Sequence, residues 1–321
     1  MAITVGVETL DIPVQEELEQ YLDQFDKATF RDNKLQSCSP FRYDQHPSFA
    51  VHLENGSWID SGASDEHRKG HFIQLLSFLR QESTEDTIEY LLNKYSIRKL
   101  DADTLKVDMS WLLPSIEPKV FSAEDLQPFA FRHSYLANRG ISEEVQREFR
   151  VGYCQDSKAI VMPWTNSDGS VINMKFRSVE TKRFWYHKEG QRVNSYLYGF
   201  EQYSKTGLPK VWLVESEIDC LRLWSNGIPA IAFGTANISK SQEQLIRNSC
   251  ADHLVIAVDN DMVGKQFKSK LIEMFSGYFK LSEIAYPSAN IKDISDMTDK
   301  QIFNCASERL DVSVKIELKA R

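Results

Sequence analysis

The chain has no paired cysteines, no surplus of positive charge and no long apolar run, and each absence excludes a class of protein. Its five cysteines, Cys38, Cys154, Cys220, Cys250 and Cys305, are scattered without a Cys-x-x-Cys spacing, which argues against a zinc knuckle or a dithiol redox motif. Cys220 and Cys250 fall in helical stretches and read as buried thiols. No segment reaches the ~18 apolar residues that a membrane-spanning helix needs, and the first residues lack the basic-then-apolar pattern of a secretory leader. A formal net charge of −8 argues against a polycation that coats nucleic acid, although local basic patches are compatible with it. What remains is ordinary: 42% hydrophobic and 26% charged residues over 321 positions describe a folded chain. That length accommodates about two to three domains.

Within this background one stretch stands out, from Val211 to Asp261. The apolar run Val211-Trp212-Leu213-Val214 ends in Glu215, and the run Leu254 to Val258 ends in Asp259-Asn260-Asp261. Short apolar runs bounded by polar residues read as strands buried on both faces, and in open α/β sheets ligands collect beyond the carboxyl ends of such strands. Asp219 follows Glu215 by four residues, in the first turn of a helix expected from Ile218 to Asn226, and so faces the same crevice. Gly227 would cap that helix, and Pro229 to Phe233 would be the next strand. Glu215, Asp219, Asp259 and Asp261 would repel one another strongly unless divalent cations sat among them, which points to a Mg²⁺ or Mn²⁺ site for phosphate chemistry. The plainer reading, solvated caps and turns in a chain with 46 acidic residues, fits any one of them better than it fits their density.

The order Glu-x-x-x-Asp, strand, Gly234-Thr235, helix, strand, Asp-x-Asp, Gly264-Lys265 resembles the Toprim domain of topoisomerases, bacterial-type primases and certain nucleases. Upstream of it come Tyr135-Leu136 with Arg139-Gly140-Ile141, then Phe149 with Gly152-Tyr153, then Ile160 to Pro163. The turn Asn166 to Gly169 and the strand Val171 to Arg177 follow, the latter presenting Lys175 and Arg177 on one face of a β-hairpin. Lys182-Arg183-Phe184-Trp185-Tyr186 is a basic-aromatic segment, and Leu197-Tyr198-Gly199 precedes the acidic stretch. This succession resembles the catalytic core of bacterial and phage primases of the DnaG type; topoisomerases and Toprim nucleases lack the preamble.

The amino-terminal third resembles the same family less closely. Val14 to Phe25 has helical periodicity. Pro40-Phe41, Pro47-Ser48-Phe49, a hairpin turning at Asn55-Gly56, the apolar helix Phe72 to Leu79 and another helix from Thr84 to Tyr95 follow. The resemblance is to the primase zinc ribbon, but its four ligand positions hold Ser39, Arg42, Asp60 and Ala63, which do not make a thiolate and imidazole site. No structural zinc is therefore expected, with a displaced site at Cys38, His46, His67 and His71 as the alternative. Arg42 would pair with Asp60 or turn outward to phosphate.

The resemblance implies an α/β architecture. A Toprim parallel sheet at 207–300, with helices on both faces, would follow a small α+β subdomain at 121–206 and a zinc-ribbon-like module without zinc at 1–98. A linker would occupy 99–120 and an extension 301–321. It implies template-directed RNA primer synthesis by metal-dependent nucleotidyl transfer with a two-metal Mg²⁺ or Mn²⁺ site. Asp259 and Asp261 would bind metal with help from Asp219 and Asp293, and Glu215 would bind metal or act as general base. Arg139, Lys175, Arg177, Lys182, Arg183 and Lys265 would contact template or triphosphate, Arg139 in competition with a packing role. Phe184 and Trp185 would stack bases or belong to the core. Lys292-Asp293 fits the family's Lys-Asp pair or is a solvated loop. Single-stranded DNA, ribonucleoside triphosphates and a separate replicative helicase are the implied partners, with no membrane, in the cytoplasm of a bacterium or phage-infected cell. A Toprim nuclease and a non-catalytic primase-derived binding protein are the competing functions; the hairpin and basic strand disfavour the first and the retained carboxylates the second.

Overall fold

The computed structural model describes residues 2–5, 8–63, 68–81, 84–95, 119–181, 183–288, 290–307 and 310–311. His67, Lys182, most of the expected linker and residues 312–321 lie outside the described residues. The chain divides into two compact units. The first comprises Met1–Val120, Cys154–Val161 and Asn173–Arg192, and the second Phe121–Tyr153, Met162–Ile172 and Val193–Arg321.

In the first unit, β1 (Ala2–Val5) and β2 (Glu8–Asp11) form an antiparallel pair ahead of α1 (Val14–Glu19). The helix expected from Val14 to Phe25 is shorter than its periodicity suggested, because a separate single 3₁₀ turn, Leu22–Gln24, takes its carboxyl end. An antiparallel sheet follows in the order β3 (Thr29–Arg31), β4 (Lys34–Ser37), β5 (Phe49–His52), β6 (Trp58–Asp60), β7 (Lys69–Gly70). Its alternating burial puts Leu35, Phe49, Val51 and Trp58 on one face. Helices α2 (Phe72–Arg80) and α3 (Thr84–Tyr95) join that core, as do Leu10, Ile12, Val14, Leu18 and Phe25, with Phe41 and Phe78 in edge contact at 4.6 Å between centroids. The apolar helix thus provides the core that a ribbon of this size cannot build alone.

Three short helices come next, α4 (Ala123–Leu126), α5 (Ser134–Ala137) and α6 (Glu143–Glu148). Strands β8 (Gly152–Cys154), β9 (Ala159–Thr165), β10 (Val171–Ser178) and β11 (Phe184–Tyr186) lie in the order β11-β10-β9-β8. Residues 154–161 and 173–192 group with the amino-terminal module rather than with the rest of 121–206. One cause is in the packing of the first unit: Tyr43 lies against Trp185, with ring centroids 5.9 Å apart, and the Arg192 guanidinium is 5.3 Å above the Phe78 ring.

The second unit contains α7 (Phe200–Thr206), β12 (Lys210–Val214), α8 (Glu217–Trp224), β13 (Ala230–Ala232), α9 (Lys240–Arg247), β14 (His253–Ile256), α10 (Met262–Phe275), β15 (Lys280–Glu283), α11 (Asp299–Ser307) and β16 (Leu310–Asp311). The sheet order is β13-β12-β14-β15-β16; the first four strands are mutually parallel and β16 is an antiparallel edge. Parallel strands covered on both faces need apolar side chains at every position. Accordingly Val211 to Val214, Ala230 to Ala232 and His253 to Ile256 are buried throughout. Adjacent β12 and β14 run in the same direction, so their carboxyl ends open on the same rim.

Candidate functional site

At that rim the acidic residues meet. Glu215 follows the last residue of β12, and its Oε1 accepts the Asp259 backbone N–H at 3.0 Å, joining the ends of β12 and β14. Asp261 is the N-cap of α10 and accepts the Gly264 N–H at 2.9 Å. Gly264 has to be glycine: a Cβ there would stand 2.0 Å from the Asp259 carbonyl oxygen and 3.0 Å from Glu215 Oε1. Ser216 caps α8 by accepting from the Asp219 N–H, while its hydroxyl donates to Asp219 Oδ2 at 2.6 Å. The other Asp219 oxygen accepts the Ser295 N–H at 2.8 Å, and the Ser295 hydroxyl donates to Asp293 at 2.8 Å.

These contacts leave several carboxyls crowded and poorly hydrated. Burial, together with the charges of Asp259 and Asp261, pushes Glu215 up to about 8. Burial and Asp293 push Asp259 up to about 6, against the pull of Lys292. Asp219, 3% exposed, is raised well above the carboxylate range by burial and by Asp293. Asp261 is held below the ordinary value despite partial burial, because it accepts the Gly264 N–H and faces Lys292. The Lys292 ammonium lies 3.6 Å from Asp259 and 3.4 Å from Asp261. Two carboxylates sharing one ammonium, with a third half-buried beside them, are short of positive charge.

The donor set suits a hard divalent cation, since it consists of carboxylate oxygens alone. Among the described residues no three His, Cys, Asp or Glu side chains converge closely enough to chelate one ion, and Lys292 occupies the space between Asp259 and Asp261. Its displacement, with small rotations of Asp259 and Asp261, is what binding would require. Beside Asp259 a cavity of about 160 Å³ is lined by Asn260, Gly264, Lys265, Lys268 and Tyr286 among others.

The basic residues are distributed differently from the expectation. Arg139 is half-buried; its guanidinium lies 4.9 Å from the Tyr135 ring and donates to the Ser295 hydroxyl at 3.2 Å. It therefore braces the loop that holds Asp219 and Asp293. Lys265 is exposed on the first turn of α10. Lys175, Arg177 and Arg183 belong to the first unit. Arg183 was expected to touch template, but it is 5% exposed and its guanidinium donates to the backbone carbonyls of Asp44, at 2.9 Å, Ser39 and Arg42. Lys175 is likewise 6% exposed, with its ammonium 4.5 Å from the Phe184 ring centroid. In this structure Arg183 is thus bound to backbone carbonyls and Lys175 lies against the aromatic rings of β11. Arg177 is half-buried on the same strand. Trp185 stacks on Phe176 at an interplanar angle of 5° and is core, while Phe184 is half-buried.

Several contributors were not legible in the sequence. Ser216 and Ser295 position Asp219, and Tyr286 donates to the Val258 carbonyl at 2.9 Å beneath the strand end. Arg222, 6% exposed, donates to the carbonyls of Gly140 at 2.8 Å and Met297 at 3.0 Å, tying the Arg-Gly-Ile turn to the Asp293 loop. Only Ser216 carried a usable sign, as an N-cap serine at the start of a helix.

Residues 212–298 match a family model described as Toprim-like, and the chain carries a Toprim-like domain there. No curated protein matches the chain. Among solved structures it is similar to the zinc-binding and RNA polymerase domains of the Aquifex aeolicus primase, with 17% identity over 94% of this chain and 84% of that one and a TM-score of 0.48. The primase fragment of the bacteriophage T7 primase-helicase protein gives 17% identity, 61% and 84% coverage and a TM-score of 0.49. A DNA primase domain from Pseudomonas aeruginosa gives 17% identity, 56% and 71% coverage and a TM-score of 0.45.

Proposed function

We propose that this chain is a template-directed RNA primase of the bacterial and phage type, using single-stranded DNA and ribonucleoside triphosphates. The observation that carries the reading is the Glu215–Asp259 junction, which sets acidic residues of two parallel strand ends into one partly buried cluster. The ordered motifs from Tyr135 to Gly199 ahead of the Toprim-like domain support primer synthesis over hydrolysis.

Glu215, Asp259 and Asp261, with Asp293 nearby, would hold Mg²⁺ or Mn²⁺, which when bound shields the triphosphate and acidifies the attacking 3′-hydroxyl. The protein's own groups do the rest. Glu215, where it does not hold the metal, would take the hydroxyl proton. Lys265 and Lys268 line the cavity beside Asp259, where the anionic end of a nucleotide would lie. Lys292 offers its positive charge to the cluster until a cation or a triphosphate displaces it. Arg139 and Ser295 keep Asp219 and Asp293 in register. Arg177 and Lys182 remain the candidates for template contact in the 173–192 segment. On this reading 1–98, 121–206 and 207–300 act as template module, core subdomain and catalytic domain, and a separate replicative helicase delivers template in the cytoplasm.

The test is incubation with single-stranded templates, labelled ribonucleotides and Mg²⁺ or Mn²⁺, with products resolved on a gel. Short template-dependent RNA products are expected. Template cleavage without synthesis would identify a nuclease, and binding without either product a non-catalytic protein.

A further inference from the structure

The zinc-ligand positions of the amino-terminal module hold Ser39, Arg42, Asp60 and Ala63, and these residues do not fit a zinc ion. The structure shows what stands there instead. A single nitrogen of the Arg42 guanidinium, Nη2, lies 2.8 Å from Asp60 Oδ1, 3.1 Å from Asp44 Oδ2 and 2.7 Å from Ser48 Oγ. Each of these acceptors is anchored in turn. Asp60, fully buried at the end of β6, accepts the Gly62 N–H at 3.0 Å. Asp44 accepts the Ser39 N–H at 3.1 Å and the Ser48 hydroxyl at 2.5 Å. Gly62 leaves the room required, since a Cβ there would stand 2.0 Å from Arg42 Nη2.

The partners are gathered as ligands are gathered around a metal: from the loop after β4, from the residue just ahead of β5, and from the end of β6. The other side of the loop is held by Arg183, whose guanidinium donates to the carbonyls of Ser39, Arg42 and Asp44. Of the described candidates for a displaced zinc site, Cys38 is fully buried while His46 and His71 are exposed.

We infer that Arg42 is the resident cation of this ribbon, a guanidinium standing where the family's fold implies zinc, and that Arg183 fastens the same loop to the β10–β11 hairpin. The physical advantage is permanence. A guanidinium keeps its charge at every accessible pH and is not removed by a chelator, whereas a ribbon built on zinc is lost with its metal. Asp60 supplies the complementary requirement, because a carboxylate with no exposure is tolerated only when paired and hydrogen-bonded. This inference stands apart from the catalytic reading and does not depend on it.

The test uses the full chain. Elemental analysis should find no stoichiometric zinc in protein purified without chelator, and hydrogen exchange over residues 38–62 should be unchanged after exhaustive chelation. Arg42→Met should accelerate exchange there by about 100-fold or more, the consequence of leaving a buried carboxylate without its partner. Adding Asp60→Asn to that variant should restore most of the protection. If Arg42→Met unfolds the module outright, recovery in the double variant supports the inference and failure to recover overturns it. Arg183→Met should loosen residues 39–44 and 183–186 while residues 58–60 stay protected. One zinc per chain, whose removal opens residues 38–62, would refute the inference, as would an Arg42→Met protein that exchanges like the wild type.

Discussion

Gly264→Ala probes the acidic rim with the smallest perturbation available, one methyl group. The added Cβ would lie 2.0 Å from the Asp259 carbonyl oxygen, where ordinary contact begins at 3.4 Å, so the strand end and the first turn of α10 have to separate by about 1.4 Å. The displaced atoms belong to the backbone that carries Asp259 and Asp261, and the nearest side-chain atom, at 3.0 Å, is Glu215 Oε1. A misplacement of about 1 Å in a reacting constellation costs roughly 100-fold in rate. Stability should respond much less. Overpacking costs about 1–3 kcal/mol, and replacing a helical glycine by alanine returns up to ~1 kcal/mol. The expected result is therefore a loss of about 100-fold in primer synthesis and weaker Mn²⁺ binding by calorimetry, with a modest shift in thermal unfolding. Gln266→Ala, an exposed change on the same helix, serves as the control and should alter neither. Wild-type activity in Gly264→Ala, with unchanged Mn²⁺ affinity, would show that the close approach of Gly264 to Asp259 does not set the geometry of the site.

Asp259→Asn and Asp261→Asn remove one negative charge each without changing shape, and Asn can still cap α10; both should abolish metal-dependent synthesis while circular dichroism stays native. Full activity in both would dismiss the proposed site. In chelator, Glu215 makes stability fall with pH. Its folded carboxyl is raised to about 8 from the ordinary 4.5, so its contribution is complete below about pH 4.5 and is lost as pH rises through 8. The loss is roughly 4–5 kcal/mol at most. Urea titrations at pH 5 and pH 8.5 should show that fall in the wild type and a smaller one in Glu215→Gln; identical pH dependence in the two would contradict the assignment. Arg222→Met leaves the carbonyls of Gly140 and Met297 without a donor and should destabilise by about 2–4 kcal/mol in urea titration. A change below ~0.5 kcal/mol would mean that the two loops hold their places without it.

Much of the architecture is written locally. The apolar runs of β12 and β14, the alternation of Leu35, Phe49, Val51 and Trp58, and the helix from Phe72 are set by patterns within a few residues, so they are legible along the chain. The same holds for Glu215, Asp259 and Asp261, because a residue that ends a parallel strand must lie at the rim of the sheet whatever else the fold does. The resemblance to a zinc ribbon picked out Arg42 and Asp60, which pair in the structure, but not Asp44 and Ser48, which complete the set around the guanidinium.

Other features depended on partners far away in the chain, and no local pattern contains them. Arg183 and Lys175 read as phosphate contacts because cations on an exposed strand usually are. The loop 39–44, more than a hundred residues earlier, turns Arg183 into a backbone clamp, and the aromatic residues of β11 cover Lys175. Lys292 lies between Asp259 and Asp261, and Ser295 reaches Asp219 across 76 residues of sequence. Periodicity and strand ends are decided by the chain's own covalent geometry. The burial of a charge is decided by whichever segments can neutralise it, so Glu215 at the end of β12 is legible from its own neighbourhood, while Lys292 between Asp259 and Asp261 is not.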